Sequence, residues 1–422
     1  MAAPCKEFTL SSQTDPQAAV AASSPPEHMP RALLLLVAGL TAILPMSNDG
    51  LSPALPAVGM GLGVPAAEVA TVMSAFVIAF AAAQLVCGML ADAVGRRPVI
   101  YGGLILYVVA SLIGAGARDF TMLLVARALQ GLGCAAVVLL ARTIVRDLLD
   151  RVHAARTLAL VGALYGPVPI LAPLLSGGLV TLFGWRAPML GMGLVCALVM
   201  LLSLRTLPET LRPEHRLALD PAGVMRSIIG VARSKALLAY VFGNAFAYTG
   251  ILLFSAAGPQ VIVAHMGHSA GEFAMMLALS TVGFIVGSFV SSRIVHARGI
   301  ESTLRLGTVF QVAGTVTMLV ASWAAPGAWA ALVLPEIIYT FGWGLVQPQM
   351  QAGALSIHPR AIGQTSALFG FVQLSIAGVI VALFARLTSG SSLSLALGVA
   401  ACAILGAIIS WAFIGRAGER HG

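Results

Sequence analysis

Charge is scarce in this chain: Asp, Glu, Lys and Arg make up 9% of 422 residues, while 59% are hydrophobic. Soluble domains carry roughly 25% charged residues. So few polar side chains cannot cover a water-facing surface, which excludes a soluble enzyme, a nucleic-acid reader and a disordered scaffold. Cysteine is also sparse. Cys87, Cys134, Cys196 and Cys402 fall inside apolar runs, Cys5 does not, and no CxxC occurs. They read as small packing residues, not as a disulfide frame or metal site. The chain has no Walker A, H-E-x-x-H or G-x-S-x-G pattern, so an ATP-driven pump and an intramembrane hydrolase both lack support. No enzyme activity and no cofactor are expected. Residues 1–30 contain no apolar h-region, so they do not form a signal peptide and read as a disordered cytoplasmic tail.

What is abundant is apolar sequence, with a mean hydropathy of +0.95. Runs lie at about 32–57, 68–91, 99–117, 121–143, 157–182 and 187–206, then at about 236–263, 272–294, 303–323, 328–349, 361–385 and 391–415. A run of ~20 residues spans a ~30 Å hydrocarbon core. The expected fold is therefore an all-α membrane protein with twelve transmembrane helices in two six-helix bundles, 31–206 and 236–415. A cytoplasmic linker at 207–235 joins them, and a short tail follows at 416–422. The net charge of +8 fits cytoplasmic loops better than a nucleic-acid partner. Of 24 Lys and Arg, 19 fall on the linker side and three (Arg118, Arg186, Arg386) opposite, with Arg127 and Arg142 inside runs. That asymmetry predicts both termini in the cytoplasm. Short loops leave no room for a soluble catalytic domain, and paired halves place a transporter's substrate site at their interface near the midplane.

Ionisable residues inside apolar runs are costly and are functional candidates by default. Asp49 ends the first run in Ser47-Asn48-Asp49-Gly50-Leu51-Ser52-Pro53, in its outer half. An apolar cavity favours the neutral form of a carboxyl, so an acid there is a usable proton carrier. Pairing with Arg118 or Arg186 at the outer surface is the alternative. Arg127 lies in the fourth run, in Leu123-Leu-Val-Ala-Arg127-Ala-Leu-Gln130-Gly131-Leu-Gly133. It either faces a polar cavity or snorkels to the outer interface. Glu336 in the tenth run is a third candidate, about ~12 Å inside the outer end, suited to a cationic substrate or to sharing a proton with Asp49. Asn48, Gln84, Asn244, Tyr248, Tyr339, Trp343 and Gln373 are cavity candidates whose other reading is an interhelical hydrogen bond or interface anchor. His265 and His268 have a metal-compatible spacing, but no third ligand is evident and no metal is expected.

The loop after the second run reads Gly88-Met-Leu-Ala-Asp92-Ala-Val-Gly95-Arg96-Arg97. It resembles the G-x-L-a-D-r-x-G-r-[KR] signature of the major facilitator superfamily; its second-half counterpart, Gly287 to Arg293, lacks the acid. The resemblance implies that Asp92 braces the inner gate against Arg142 or Arg146 and the start of the eleventh helix. The fourth run is similar to that superfamily's L-x-x-x-R-x-x-Q-G-x-G element, which assigns Arg127 a role beside the proton acid. In the fifth run, Gly162, Gly166 and Pro167 precede Ala172-Pro173-Leu-Leu-Ser176-Gly177-Gly178. Small residues at that spacing allow close packing and the prolines bend the helix. This stretch resembles the antiporter motif of the bicyclomycin-resistance (Bcr/CflA) branch, with Ser176 where Gly is usual. Asp49 to Pro53 is similar to that group's D-x-x-x-P element, with Gly50 and Leu51 in place of Met and Tyr. The resemblance implies a monomeric drug:proton antiporter of a bacterial inner membrane, with an amphipathic drug, protons and lipid as partners. An exporter of an amino acid or sugar, and more remotely a transport-inactive sensor, are the alternatives.

Overall fold

The computed structural model describes residues 29–149, 151–211, 213–216, 220–357, 362–387 and 391–413. Both tails expected from the sequence lie outside this range, apart from Met29 and Pro30. Among the described residues there is no strand. Lipid offers no partner for a free N–H or C=O, so apolar runs this long satisfy their backbone internally as helices.

The spans are α1 (Arg31–Asp49, continued by Ser52–Ala54 and Leu55–Leu62), α2 (Thr71–Val94), α3 (Arg96–Ala115) and α4 (Phe120–Leu148). Then come α5 in two segments (Arg151–Tyr165 and Val168–Phe183), α6 (Arg186–Thr206) and α7 (Lys235–Pro259, extended by a π-helical Gln260–His265). The last are α8 (Ala270–Val295), α9 (Ala297–Ala324), α10 (Ala330–Ile357), α11 (Ile362–Leu387) and α12 (Ser392–Phe413). Among the described residues eleven helices are long and apolar enough to cross a membrane, and α2, bent by 46° between Gln84 and Val86, brings the number to twelve if counted as one span.

Ends and breaks have local causes. Asp119 caps α4 by accepting from Met122 N at 2.8 Å, and Ser269 and Glu272 form a capping box at α8. Such caps satisfy the free N–H groups of a first helical turn. Gly95, at φ 111°, reverses the chain from α2 into α3, and Gly299, at φ 75° and third residue of α9, is the non-helical position of the kink that separates α8 from the rest of α9. The α5 segments part at Gly166-Pro167, where Pro167 has no N–H to donate.

The first six spans meet the second six at three seams. Ser52 of α1 donates its hydroxyl to the Ser255 carbonyl of α7. The second α5 segment lies against α8, with Gly177 facing Ala270, Gly271 and Ala274. On the other flank α2 packs on α11, with Ile78 against Gly378 and Gln84 against Gly370. The Ser52 and Gly177 contacts both sit towards the face opposite the connecting segment. That segment is more than a loop. Its helix, Pro221–Ala232, is capped by Asp220 and buries Ile228 and Val231 against the second six spans, while Glu209 and Thr210 attach to the first six.

Candidate functional site

Between the two sets of spans lies a cavity of about 280 Å³. Asn48 and Asp49 enter it from α1, Phe76, Val77 and Phe80 from α2, Tyr165 and Pro169 from the two segments of α5. Tyr248, Phe254 and Ser255 come from α7, Ser280, Thr281 and Phe284 from α8, Glu336, Thr340 and Trp343 from α10, and Leu374 from α11. Seven lining side chains are aromatic, two are acids, and no Lys, Arg or His is among them.

Asp49 sits at the last turn of α1, its Oδ1 accepting from Asn48 Nδ2 at 3.0 Å. The surface alternative is not what the described residues form: Asp49 has no ion pair with Arg118 or Arg186, and Arg186 donates to the Ala117 carbonyl at 2.9 Å and stacks on Trp185. Glu336 is 1% exposed and its Oε2 has no hydrogen-bond partner, as is also true of Asn48 Oδ1 and Ser255 Oγ in the same cavity lining. A carboxylate out of water without a partner is unfavourable by several kcal/mol. Glu336 therefore calls for a proton or a cation. Of the softer candidates, Asn48, Tyr248 and Trp343 line the cavity, and the Tyr248 and Trp343 rings lie 5.7 Å apart.

Four candidates do not line it. Asn244 donates to Gln373 at 2.8 Å, joining α7 to α11. The Tyr339 hydroxyl donates to the Ala247 carbonyl and braces α10 on α7. Gln84 faces Gly370 in the α2–α11 seam. Asn244, Gln373 and Tyr339 are polar where a helix seam uses a hydrogen bond, a role that sequence cannot separate from ligand binding, while the Gln84 Oε1 is buried there without a partner.

Arg127 does not snorkel: it is 0% exposed. Its guanidinium reaches Gln130 Oε1 at 2.9 Å, the Ser47 carbonyl at 3.2 Å and the Val72 carbonyl at 3.4 Å. Gln130 donates on to Ser111 of α3, and Ser47 hydrogen-bonds the Tyr107 hydroxyl. Arg127 makes no contact with Asp49. It lies instead behind Phe76, its charge 4.4 Å from the ring centre, so an aromatic wall separates it from the cavity.

At the linker-side end of α2 the expected partners are corrected. Asp92 pairs with Arg96, and Arg96 Nε reaches Asp147 at 3.3 Å. Arg142 and Arg146 are exposed and neither pairs with Asp92; it is Asp147, also exposed and five residues beyond Arg142 on α4, that reaches this cluster through Arg96. Residue 361, at the start of the eleventh run, lies outside the described residues. Glu209 carries a role that sequence reading missed. Its two carboxylate oxygens accept from the Arg96 and Arg97 backbone N–H at 3.0 and 3.1 Å, capping α3, and Thr210 donates to Asp147 at 2.8 Å. An acid at a helix N-terminus is favoured by the exposed N–H groups and the helix dipole. Arg97 itself is exposed and stacks on Tyr101, while Gly88 approaches only Leu139.

The small-residue motif of α5 divides. Gly177 makes the close approach to α8, and Pro173 lies buried inside the segment. No other helix lies within 4 Å of a β-carbon built at Gly162 or Gly178, and at Gly166 only its own helix does, so the expected tight packing is absent there. His268 sits 3.5 Å from Glu272 and His265 hydrogen-bonds the Gln260 carbonyl. Among the described residues no three metal-ligating side chains converge. Tyr165, Pro169, Phe254 and Phe284 are lining residues that apolar periodicity could not single out.

The model of the Major Facilitator Superfamily matches residues 35–382. The chain is 24% identical to a bicyclomycin resistance protein homolog of Haemophilus influenzae, covering 90% of this chain and 96% of that protein. It is 29% identical to multidrug resistance protein D of Escherichia coli, over 86% and 91% respectively. Among solved structures, a D-xylose-proton symporter superposes with a TM-score of 0.75 at 14% identity, covering 91% of this chain and 97% of that one.

Proposed function

Since this multi-pass chain belongs to the Major Facilitator Superfamily, we propose that it is a secondary transporter that exports amphipathic, cationic drugs across a bacterial inner membrane in exchange for protons. The observation that carries the proposal is the pair Asp49 and Glu336, one from each set of six spans, in one aromatic cavity with no basic residue on its walls. Aromatic faces and a carboxylate together suit a lipophilic cation. The names of the relatives, which are drug-resistance proteins, support a drug as the cargo.

In this mechanism the linker face is cytoplasmic. Asp49 takes a proton from the outer side and releases it inward as the two sets of spans rock about the cavity. A cationic drug entering from the cytoplasm competes with protons for the two acids, so drug out and proton in are alternatives at one site. Arg127, held between the Ser47 and Val72 carbonyls, fixes α1 against α2 and so sets where Asp49 stands. Exchange of one monovalent cation for one proton moves no net charge, so the pH gradient drives it; a second proton per cycle would add the membrane potential, ~2.3 kcal/mol per charge at ~100 mV.

The test is proton movement in inverted vesicles holding a preformed pH gradient, with drugs, amino acids and sugars added singly. A lipophilic cation should collapse the gradient in the wild type and not in Asp49→Asn. A response only to amino acids or sugars would replace the drug by a metabolite. Equal proton movement in the variant would remove Asp49 from the mechanism.

A further inference from the structure

A second concavity, of about 530 Å³, opens between α9 and α12 near the linker face. Arg298, Ser302 and Arg305 form its upper rim, Leu306 and Val309 its lower wall, and Trp411 its side. We propose that this groove binds an anionic phospholipid of the inner leaflet, with the two arginines on the headgroup phosphate and the acyl chain along Leu306 and Val309.

Four observations carry this. Both arginines are exposed, and neither has an ion-pair partner among the described residues. Arg298 precedes the kink at Gly299 and Ser302 and Arg305 follow it, and all three line this one concavity. Trp411, 53% exposed, donates its indole N–H to Thr308 Oγ1 at 2.8 Å, which fixes the ring as a wall. Val309 is 47% exposed, so the polar rim runs directly into an apolar surface. A site for free phosphate has no use for that lower half. Basic pockets between spans on the cytoplasmic side, where the leaflet is anionic, suit phospholipid headgroups. The site shares no residue with the central cavity.

The experiment uses the full chain in phosphatidylcholine nanodiscs titrated with phosphatidylglycerol, and reads retained lipid by native mass spectrometry. The double variant Arg298→Gln/Arg305→Gln should bind phosphatidylglycerol roughly 30-fold more weakly, about one surface charge's worth per arginine. Trp411→Ala, which keeps every charge, should weaken it several-fold. Arg226→Gln/Arg293→Gln, an equal charge loss elsewhere on the linker face, should change it little. Equal losses in both double variants would reduce the effect to diffuse surface charge and overturn the site, as would full retention in the groove variants. Displacement of the lipid by millimolar inorganic phosphate would make this a soluble-anion site and overturn the lipid assignment. Lipid retention is read without transport, so the result stands apart from that of the vesicle assay.

Discussion

In the first six spans α4 sets Gly131 against the α2 backbone and Gly133 against Gly103 of α3; in the second six α10 sets Gly344 against α8 and Gly342 against Gly307 of α9. The same device, a Gly-x-Gly on the central helix, thus draws two neighbours close in each set. The charges then diverge. The first set buries a cation, Arg127, fully hydrogen-bonded, while the second buries an acid, Glu336, with one oxygen unpartnered. At the linker face the first set is tied by Asp92, Arg96 and Asp147; at the corresponding place in the second, Gln349 donates to Ser291 Oγ at 2.9 Å and no ion pair forms among the described residues. Satisfied charge in one set is framework, and unsatisfied charge in the other is available for a ligand. The packing is duplicated while the buried charge behind it is not, although each set presents one acid, Asp49 or Glu336, to the cavity.

The sharpest way to break this comparison is at the acids. Asp49→Asn should abolish uphill efflux of every substrate, whereas Glu336→Gln should weaken cationic substrates at least about tenfold and spare neutral ones. Loss of all substrates in both variants would show the acids acting as one unit, and would end the division of labour drawn above. Next in size, Arg127→Lys should lower stability by about 2 kcal/mol or more, because one ammonium cannot reach acceptors on α1, α2 and α4 together. A Lys variant that melts like the wild type in detergent would remove Arg127 from the framework. Arg96→Ala should cost about 1–2 kcal/mol and its effect should shrink in 1 M salt, while Ser291→Ala should cost less and be indifferent to salt. Equal salt dependence of the two melting midpoints would erase the contrast between the two linker-side ends. Last is Glu209→Gln, which keeps one of the two acceptors over α3 and turns an amide NH2 towards the other backbone N–H, so the melting midpoint should report a loss of about 1 kcal/mol.

Where sequence was informative, the reason was the cost of the alternative. Helices announced themselves because unpaired backbone is not tolerated in lipid, and Asp49, Arg127 and Glu336 because a charge there needs a reason. The ends were less clear. The apolar run at 121–143 stops short of α4, which continues to Leu148; past the hydrocarbon a helix is free to carry polar residues, and Asp147 stands in that stretch. Its partners lie 51 and 63 residues away in the chain, a distance no local pattern encodes. Gly162 and Gly166 were misread because small residues permit close approach without naming what approaches. Gln84, Asn244 and Gln373 were misplaced since a polar side chain looks the same in a seam as in a cavity. Tyr165, Phe254 and Phe284 stayed hidden, being apolar residues among apolar residues.

The seam at Gly177 and Gly271 bears on how such a protein varies. A contact this close tolerates little change at Gly177, since a β-carbon there would sit 3.0 Å from the Ala270 carbonyl and from the Ala274 β-carbon, and α8 would have to give by a few tenths of an ångström. The cavity walls have no such restriction, because an aromatic or hydroxyl side chain facing open space can be exchanged for another without moving a helix. Selection for new cargo thus has most of its freedom at Tyr165, Phe254, Thr281 or Trp343, and almost none at the closure. The closing surface and the recognition surface are free to evolve at different speeds, and a lineage can broaden what it expels while its machinery for opening and shutting stands still.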